Sequence, residues 1–427
     1  MNNVKRVFEA LKKQEQWRKR ECINLIASEN VMSPCATRAY ASDFMHRYAE
    51  GLPGKRYYQG TKYFDELEQA SFDLMKEVYG SRHADTRPVS GTGANLAVYT
   101  ALVKPGDNFM SPGVPAGGHI SSELFGSAGV RGLNVDHFEY DFENMQIDVD
   151  KSIEKMKAFK PKLVCLGASM FTLPHPVKEV AKAAQDLGTV LWFDGAHVAG
   201  LIAGGEFQQP LQEGASLMTM STHKTLPGPQ GGAIVSNQDD ETWKKIQKAV
   251  FPGTVSNHHL HKTAALVVTL LEFKEFGKKY AEQTVRNAQA LAKALDLKGF
   301  NVLWKKQGFT KSHQVVVDVV PQGGGKAAAQ RLEEANIILN MNMLPYDQVN
   351  KAMNPSGIRM GVQEMTFCGM KEDEMRKLAE IMEGLLLKGR APQAVKFDVE
   401  ELRKDFKEPV YCYTGTEAKD LLEGLRP

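Results

Sequence analysis

Apolar residues recur along the chain in two patterns, as short unbroken runs and as helical stripes. The runs are Leu163–Ala168, Val190–Asp194 and Ser216–Ser221, and such runs are typical of strands buried on both faces of a parallel sheet. Between the first two, residues 177–188 (VKEVAKAAQDLG) place their apolar side chains on one helical face. A strand, a helix and a second strand in this order predict a βαβ unit, and therefore an α/β fold.

Helical stripes predict further elements on both sides of this unit. One stripe covers residues 66–79 and ends at Gly80, and a second runs from Tyr280 to Leu297. After the second stripe come a strand-like run over 314–320, a turn at 323–325 and a helix near 327–335. We expect helices and strands to keep alternating toward the C-terminus.

These elements divide the chain into three predicted parts. Residues 1–34 form an N-terminal arm, residues 35–280 a large domain built on a mixed, mostly parallel sheet, and residues 281–427 a small C-terminal α/β domain. The first residues mix basic, acidic and apolar side chains. We therefore expect an amphipathic arm of the mature protein rather than a secretory signal.

Charge and composition argue against several functional classes. The 427 residues include 53 lysines and arginines against 51 aspartates and glutamates, a net charge of +2. This balance argues against a basic nucleic-acid-binding protein. The sequence also lacks an apolar run of about 18 residues, the length that a membrane-spanning helix needs.

The cysteines argue against two kinds of cross-link. They lie far apart and form no CxxC pair, which disfavours a disulfide framework and a zinc ribbon. Reduced thiols in a cytoplasmic protein are the simplest interpretation. The five are Cys22, Cys35, Cys165, Cys368 and Cys412. The neighbouring histidines His258, His259 and His261 lack a carboxylate partner in the sequence pattern, so no metal site is expected.

Three short segments could carry chemistry. The first is Ser90–Asn95 (SGTGAN), which precedes a helical pattern. Its small residues would let the backbone approach an anion, and N–H groups at the start of the helix would face that anion. The segment fits neither GxGxxG nor the Walker pattern, so an ordinary turn into a helix explains it equally well.

The second candidate is Asp194, which ends an apolar strand. Ligands of open α/β sheets bind beyond the carboxyl ends of the strands. A carboxylate there can hold a heterocyclic nitrogen in its protonated form. The alternative is an N-cap for the next helix.

The third candidate is Lys224, which follows another apolar strand and precedes the glycine-rich LPGPQGG. A lysine in this place can form a Schiff base, although a single lysine is usually a solvated surface residue. Together the three segments supply a phosphate cradle, a partner for a pyridinium nitrogen, and an amine. Pyridoxal phosphate requires these parts of a protein.

Longer motifs show which family the chain resembles. In chain order they are LIASEN (25–30), YAEGLPGKRYY (48–58), SGTGANLAVY (90–99), GGH (117–119), DGAHVAGL (194–201), THKTLPGP (222–229) and SGIRMG (356–361). Over nearly its whole length the sequence resembles the serine hydroxymethyltransferases. The resemblance implies the fold of the type I pyridoxal-phosphate-dependent transferases, which is the fold of aspartate aminotransferase. SNHHLHK (256–262) and LNMNMLPYD (339–347) are similar to the archaeal-type branch.

The resemblance implies roles for the residues around the cofactor. Lys224 would bind pyridoxal phosphate covalently, and Asp194 would keep the pyridine nitrogen protonated so that the ring acts as an electron sink. His119 would stack on the ring, and His223 would assist catalysis. The other cofactor-binding residues would be Ser90, Gly91 and Thr92 at the phosphate, Ser169 and His197 near the ring oxygen, and Thr222.

A second set of implied residues faces the substrates. Arg359 would bind the carboxylate of the amino acid, a task that suits a planar guanidinium. Glu50 would be the acid–base group for hydroxymethyl transfer. The other substrate-side residues would be Ser28 and Tyr58 at the amino acid, with Tyr58 also catalytic, and Tyr57 and Asn342 with Glu50 at the reduced pterin.

The implied reaction is the reversible transfer of a one-carbon unit between serine and a reduced pterin, giving glycine. The pterin would be tetrahydrofolate or a methanopterin. The resemblance further implies a homodimer in the cytoplasm, with neither nucleic acid nor membrane as a partner. A protein that only binds a partner would have no physical need to keep Lys224, Asp194, Arg359 and Glu50 together.

The chain departs from the common family pattern at three places. Gln230 stands where an arginine is usual, Ala116 where a histidine is usual, and residues 254–258 replace a glycine-rich segment. At position 230 the sequence also resembles the threonine transaldolases. The alternatives are therefore an aldolase or transaldolase acting on threonine or other β-hydroxy amino acids, or an α-methylserine hydroxymethyltransferase.

Overall fold

The computed structural model describes residues 3–348 and 351–425. Contacts group the chain into two compact units. The first comprises the residues up to Glu29 together with Glu282–Tyr411, and the second comprises Asn30–Ala281 together with the residues from Cys412 onward. These units are defined by contacts alone, so the domain limits predicted at residues 34 and 280 remain predictions.

A seven-stranded sheet, here called the central sheet, organises the second unit. In spatial order its strands are His83–Asp85, Gly232–Ser236, Leu217–Ser221, Val190–Asp194, Leu163–Leu166, Asn108–Ser111 and Asn134–His137. All neighbours are parallel except Gly232–Ser236, which is antiparallel to both of its neighbours. The prediction of a mostly parallel sheet is confirmed, and the three apolar runs are adjacent strands at its centre.

Helices of this unit follow the predicted apolar stripes. Lys62–Tyr79 buries one face and ends at Gly80, whose left-handed φ of 60° suits a residue without a side chain. Val177–Leu187 ends in the same way at Gly188, with φ 63°. The other helices of at least four residues are Pro34–Tyr40, Asp43–His46, Gly91–Leu102, Ser127–Val130, Val149–Phe159, Ala199–Ala203, Asp240–Lys248, Ala249–Thr254 and Gly415–Leu422.

The longest helix, Leu260–Leu297, begins well before the predicted start at Tyr280. Its first part is buried on most sides, with Leu266, Leu270 and Phe273 at most 6% exposed. A helix surrounded by protein has no polar face, so the one-sided stripe used for the prediction is absent there. The boundary between the two units falls within this helix.

The first unit contains a four-stranded antiparallel sheet. Its strands, in spatial order, are Asn301–Val302, Gln314–Asp318, Gly357–Gly361 and Asn340–Asn342. A separate parallel pair joins Ile23–Asn24 to Ile337–Ile338. Its helices of at least five residues are Asn3–Gln14, Glu15–Glu21, Gly325–Glu334, Gln363–Phe367, Glu372–Leu386 and Pro392–Arg403.

The expected alternation of helices and strands does not continue to the C-terminus. After Gly361, the described residues form helices and loops without a further strand. The physical reason is the apolar period, since Glu372–Leu386 buries Met375, Leu378, Ala379 and Met382 on one helical face. In the part of the chain that the structure describes, no helix has the length and hydropathy needed to cross a membrane. The five cysteines are buried, and none of them forms a disulfide.

Candidate active site

A cavity of about 300 Å³ lies at the carboxyl edge of the central sheet. Its walls come from the residues that end or follow the strands Asn108–Ser111, Leu163–Leu166, Val190–Asp194 and Leu217–Ser221. The predicted site residues that line it are Ser90, Gly91, Thr92, His119, Ser169, Asp194, His197, His223 and Lys224. The sheet edge therefore brings together segments that are more than a hundred residues apart.

The start of the helix Gly91–Leu102 forms one wall of the cavity. Ser90 is its N-cap, and the Ser90 hydroxyl accepts a hydrogen bond from the Gly93 N–H at 2.9 Å. A Cβ at Gly91 would lie 2.8 Å from Ser221 Oγ, so only glycine lets the helix start this close to the strand end. N–H groups at such a helix start attract an anion.

Asp194 lies at the end of its strand, and two donors fix its carboxylate. Asn95 Nδ2 donates to Oδ2 at 2.8 Å, and the Ala196 N–H donates to Oδ1 at 3.0 Å. The next helix, Ala199–Ala203, is capped by Val198 rather than by Asp194. The N-cap alternative for Asp194 is therefore wrong.

Lys224 is 9% exposed, unlike the solvated lysine of the alternative interpretation. Its carbonyl accepts a hydrogen bond from Asn30 Nδ2 at 2.6 Å. The following residue, Thr225, donates through Oγ1 to the His197 carbonyl at 2.9 Å, which ties the lysine segment to the segment after Asp194. Thr222, a predicted cofactor ligand, is buried and donates to the Pro229 carbonyl at 2.6 Å, and it is not among the lining residues.

His223 lines the cavity as a neutral imidazole. Burial, together with the charge of Lys224, lowers the pKa of His223 to about 4. Its Nδ1 accepts a hydrogen bond from the Gly231 N–H at 3.4 Å. Because the ring stays neutral near pH 7, it adds no second positive charge beside the lysine.

The segment before His119 is shaped by close backbone contacts. Gly117 has φ 88°, and a Cβ there would lie 2.5 Å from the Met170 carbonyl oxygen. The Gly117 carbonyl accepts a hydrogen bond from the Ser169 N–H at 2.8 Å. His119 Nδ1 lies 2.7 Å from Ser121 Oγ. These contacts place His119 and Ser169 on the same cavity.

The loop Tyr48–Tyr58 stands apart from the described cavity lining. It forms a hairpin of Gly51–Leu52 and Lys55–Arg56, and its residues Glu50, Tyr57 and Tyr58 do not line the cavity in the part of the chain described. Tyr57 is 74% exposed and Tyr58 43% exposed.

One buried cation anchors this loop. Arg56 forms ion pairs with Asp65 and Glu68, each at 2.7 Å, and Glu68 also pairs with the buried His258. The sequence argument that His258 lacks a carboxylate partner is therefore wrong. Within the described ranges, no group of three histidine, cysteine or acidic side chains is arranged to hold a metal ion.

Three predicted substrate residues, Ser28, Asn342 and Arg359, belong to the first unit. Arg359 lies on the strand Gly357–Gly361, and its Nε and Nη2 donate to Asn340 Oδ1 at 3.3 and 3.2 Å. Burial lowers the pKa of Arg359 to about 10, which leaves the guanidinium charged at neutral pH.

Several polar residues of the cavity are not among the individually predicted site residues. They include Asn95, Ser111, Ser122 and Ser221. A usable signal existed for Asn95, since it follows Gly91 by four positions and so shares its face of the helix. Gln230, noted in the sequence only as a departure from the family pattern, also lines the cavity.

The residues present fit pyridoxal phosphate. The helix start, where glycine alone clears Ser221, offers N–H groups for a phosphate, and Asp194 offers an oriented carboxylate for a basic ring nitrogen. Lys224 contributes the amine to the same cavity.

Comparisons with known proteins agree with the geometry. The family model described as serine hydroxymethyltransferase matches residues 2–382. The serine hydroxymethyltransferase of Pyrococcus horikoshii is 52% identical over 413 residues, which are 96% of each chain. The one from Sulfolobus acidocaldarius is 50% identical over 97% of this chain and 95% of the relative. The one from Methanopyrus kandleri is 50% identical over 97% and 96%.

Proposed function

This chain belongs to the serine hydroxymethyltransferase family, and we propose that it transfers a one-carbon unit reversibly between serine and a reduced pterin, giving glycine. The observation that supports this most directly is the cavity in which Lys224, Asp194 and the start of the helix Gly91–Leu102 meet. A cavity with an amine, a carboxylate and a helix start suits an amino-acid-transforming cofactor enzyme.

We propose that this cavity holds pyridoxal phosphate at Lys224. When bound, the cofactor supplies an electron sink for the cleavage of a bond at the substrate Cα. Asp194 holds a proton on the ring nitrogen, because an oriented carboxylate favours the protonated base. Ser90, Gly91 and Thr92 bind the phosphate, His119 packs on the ring, and Ser169 and His197 face the ring oxygen.

The substrate-side assignments are part of the same proposal. Arg359 binds the carboxylate of serine through paired N–H groups. Glu50 exchanges a proton with the serine hydroxyl, assisted by Tyr58. The pterin contacts are assigned to Tyr57 and Asn342, and Ser28 is assigned to the amino acid.

We also propose a cytoplasmic homodimer. Its support is the loop Tyr48–Tyr58, whose two C-terminal tyrosines are exposed although the family motif assigns Tyr57 to the pterin and Tyr58 to catalysis. A second chain would bring this loop to the neighbouring cavity and cover the aromatic rings. Large exposed apolar side chains are typical of interfaces.

A panel of substrates and acceptors tests the reaction. The purified protein, loaded with pyridoxal phosphate, is assayed with serine and tetrahydrofolate, with serine and tetrahydromethanopterin, and with threonine or α-methylserine. We expect serine cleavage to depend on one of the pterins. The matched control is Lys224→Ala, which should lose both the visible absorbance band and its fixation by borohydride.

The cavity supports one second candidate, a threonine aldolase or transaldolase. Gln230 lines the cavity where the family usually has an arginine, so a cationic contact is replaced by a neutral amide. Threonine cleavage without a pterin, faster than pterin-dependent serine cleavage, would favour this candidate. Adding an aldehyde acceptor to the panel would then separate an aldolase from a transaldolase.

A further inference from the structure

We propose that Asn95 is a positioning residue for Asp194, one that orients the carboxylate toward the ring nitrogen of the cofactor. This inference rests on the proposed function, because it concerns pyridoxal phosphate bound at Lys224. None of the motifs that suggested the site assigns a task to this asparagine. Its position in the helix and its contacts carry the argument.

The helix places Asn95 inside the cavity. Asn95 lies one turn after Gly91 in the helix Gly91–Leu102, so both line the cavity from one helical face. Its side chain is 2% exposed. The same helix therefore presents N–H groups at its start and a carboxamide one turn further in.

The carboxamide can be oriented in only one way. Asn95 Nδ2 lies 2.8 Å from Asp194 Oδ2, and a carboxylate accepts hydrogen bonds but donates none. The amino group must therefore face Asp194, which fixes the assignment of the amide nitrogen and oxygen. With the Ala196 N–H on Oδ1 at 3.0 Å, each carboxylate oxygen has one donor and keeps a lone pair for another.

One physical effect follows for Asp194. Donors on both oxygens restrict rotation of the carboxylate about its last bond, so its direction is set before a ligand binds. A carboxylate held in this direction favours a protonated ring nitrogen opposite it.

The other end of the carboxamide points to the same conclusion. Asn95 Oδ1 is buried and has no hydrogen-bond partner in the described structure. A buried carbonyl without a donor is unfavourable, and native proteins rarely keep one without a reason. The end of the carboxamide that is satisfied is the amino group, which donates to Asp194.

The test replaces the amide while keeping its shape. Asn95→Leu keeps the heavy-atom branching of asparagine but has no donor, and Asn95→Ala serves if the larger leucine prevents folding. The matched control is Asn108→Ala, an asparagine at the other end of the central sheet that donates to the Phe159 carbonyl at 2.6 Å. Thermal unfolding of all variants measures the loss of a side-chain hydrogen bond by itself.

The main readout is the ¹⁵N chemical shift of the ring nitrogen in protein loaded with ¹⁵N-labelled pyridoxal phosphate. We expect this shift to move toward that of unprotonated pyridine in Asn95→Leu and to stay unchanged in Asn108→Ala. The kcat for serine should fall about tenfold or more, the equivalent of about 1.4 kcal/mol, while KM changes less than about threefold because Asn95 faces Asp194 rather than the amino acid.

The outcomes separate this inference from the proposed function. If wild-type protein does not bind pyridoxal phosphate at Lys224, the proposed function fails first. If wild type binds it, and both Asn95 variants fold with an unchanged ¹⁵N shift and kcat within about twofold of wild type, the proposed function stands. The role of Asn95 is then overturned.

Discussion

The cavity at the sheet edge and the loop Tyr48–Tyr58 both carry residues that the family motifs assign to catalysis, but they are built differently. In the cavity, strand ends and a helix start set the positions, and side chains such as Asp194 are held by donors from the same chain. In the loop, a buried arginine side chain, that of Arg56, holds the backbone by donating to the Ala49 and Gly51 carbonyls at 2.8 and 2.9 Å. Beyond it the aromatic side chains are exposed.

The two regions differ in whether one chain alone supplies all the residues that act there. The Arg56 guanidinium pairs with Glu68, which also contacts the buried His258, so the base of the loop is held by interactions within this chain. Tyr48 and Tyr58 pack on each other at 5.3 Å between ring centroids, yet they are 54% and 43% exposed. We infer that the cavity acts with residues of its own chain, and that the loop acts in a neighbouring chain.

The largest expected effect is the activity regained when two inactive variants form hybrid dimers. Lys224→Ala and Tyr58→Ala should each be nearly inactive. If the loop serves the other chain, an equal mixture of the two should regain about a quarter of the wild-type activity, since half of the dimers are hybrids with one intact site. The activity of the mixture after reversible dissociation measures this.

The control for hybrid dimers pairs two cavity residues. Lys224→Ala mixed with Asp194→Ala should stay inactive, because both residues line the cavity of one chain and no intact cavity forms. Recovery in this control, or its absence in the first mixture, would contradict the division between cavity and loop. A fully active monomer would contradict it as well.

Asp194→Asn is the next largest change, and it acts within the cavity alone. The neutral amide keeps the shape but cannot hold a proton on the ring nitrogen. Removing one such electrostatic contribution costs about 3–4 kcal/mol, so kcat should fall by about 10²–10³-fold. Cofactor binding and thermal unfolding should change little. A near-normal kcat would mean that another residue pairs with the ring nitrogen.

Glu50→Gln is the corresponding carboxylate-to-amide substitution in the loop. Transfer between serine and the pterin should fall about 10²-fold, within the range for a general acid–base group. Pterin-independent cleavage of threonine should fall less, because water can take that proton. Equal losses in both reactions would assign Glu50 to a step that both share. The visible absorbance band should persist, since Lys224 is unchanged.

Residues set by local pattern could be predicted from the sequence. Asp194 ends one mostly apolar run and Lys224 comes shortly after another, and buried parallel strands deliver such residues to one sheet edge. Gly91 was predicted to let the backbone approach an anion, whereas its closeness to the strand end, where a Cβ would lie 2.8 Å from Ser221 Oγ, was not predicted.

Contacts between residues far apart in the chain could not be predicted in this way. Asn95 and Asp194 are 99 positions apart, and neither segment alone indicates that their side chains meet. The pair between Glu68 and His258 is another example, because each residue by itself resembles a solvated surface group. The exposure of Tyr57 could not be predicted from the sequence either, because tyrosine is common both in cores and on surfaces.

The smallest expected effect is that of His223→Gln. This substitution changes a buried neutral group of the cavity, whereas those at Asp194 and Lys224 change charged groups. The pKa of His223 is lowered to about 4, so the neutral ring is favoured in the folded protein. In the unfolded chain the pKa returns to about 6.5. Protonation therefore favours unfolding as the pH falls from about 6.5 toward 4, and has no effect above that range.

Glutamine removes this titration and leaves a polar group of similar size. The Tm of wild type should accordingly fall more between pH 7 and pH 5 than the Tm of His223→Gln, whereas the two should differ little in their pH dependence above pH 7. The kcat profile between about pH 7 and 9 should keep its shape, because the histidine is already neutral there. Parallel Tm curves down to pH 5 would show that His223 is solvated rather than held neutral by burial and by Lys224.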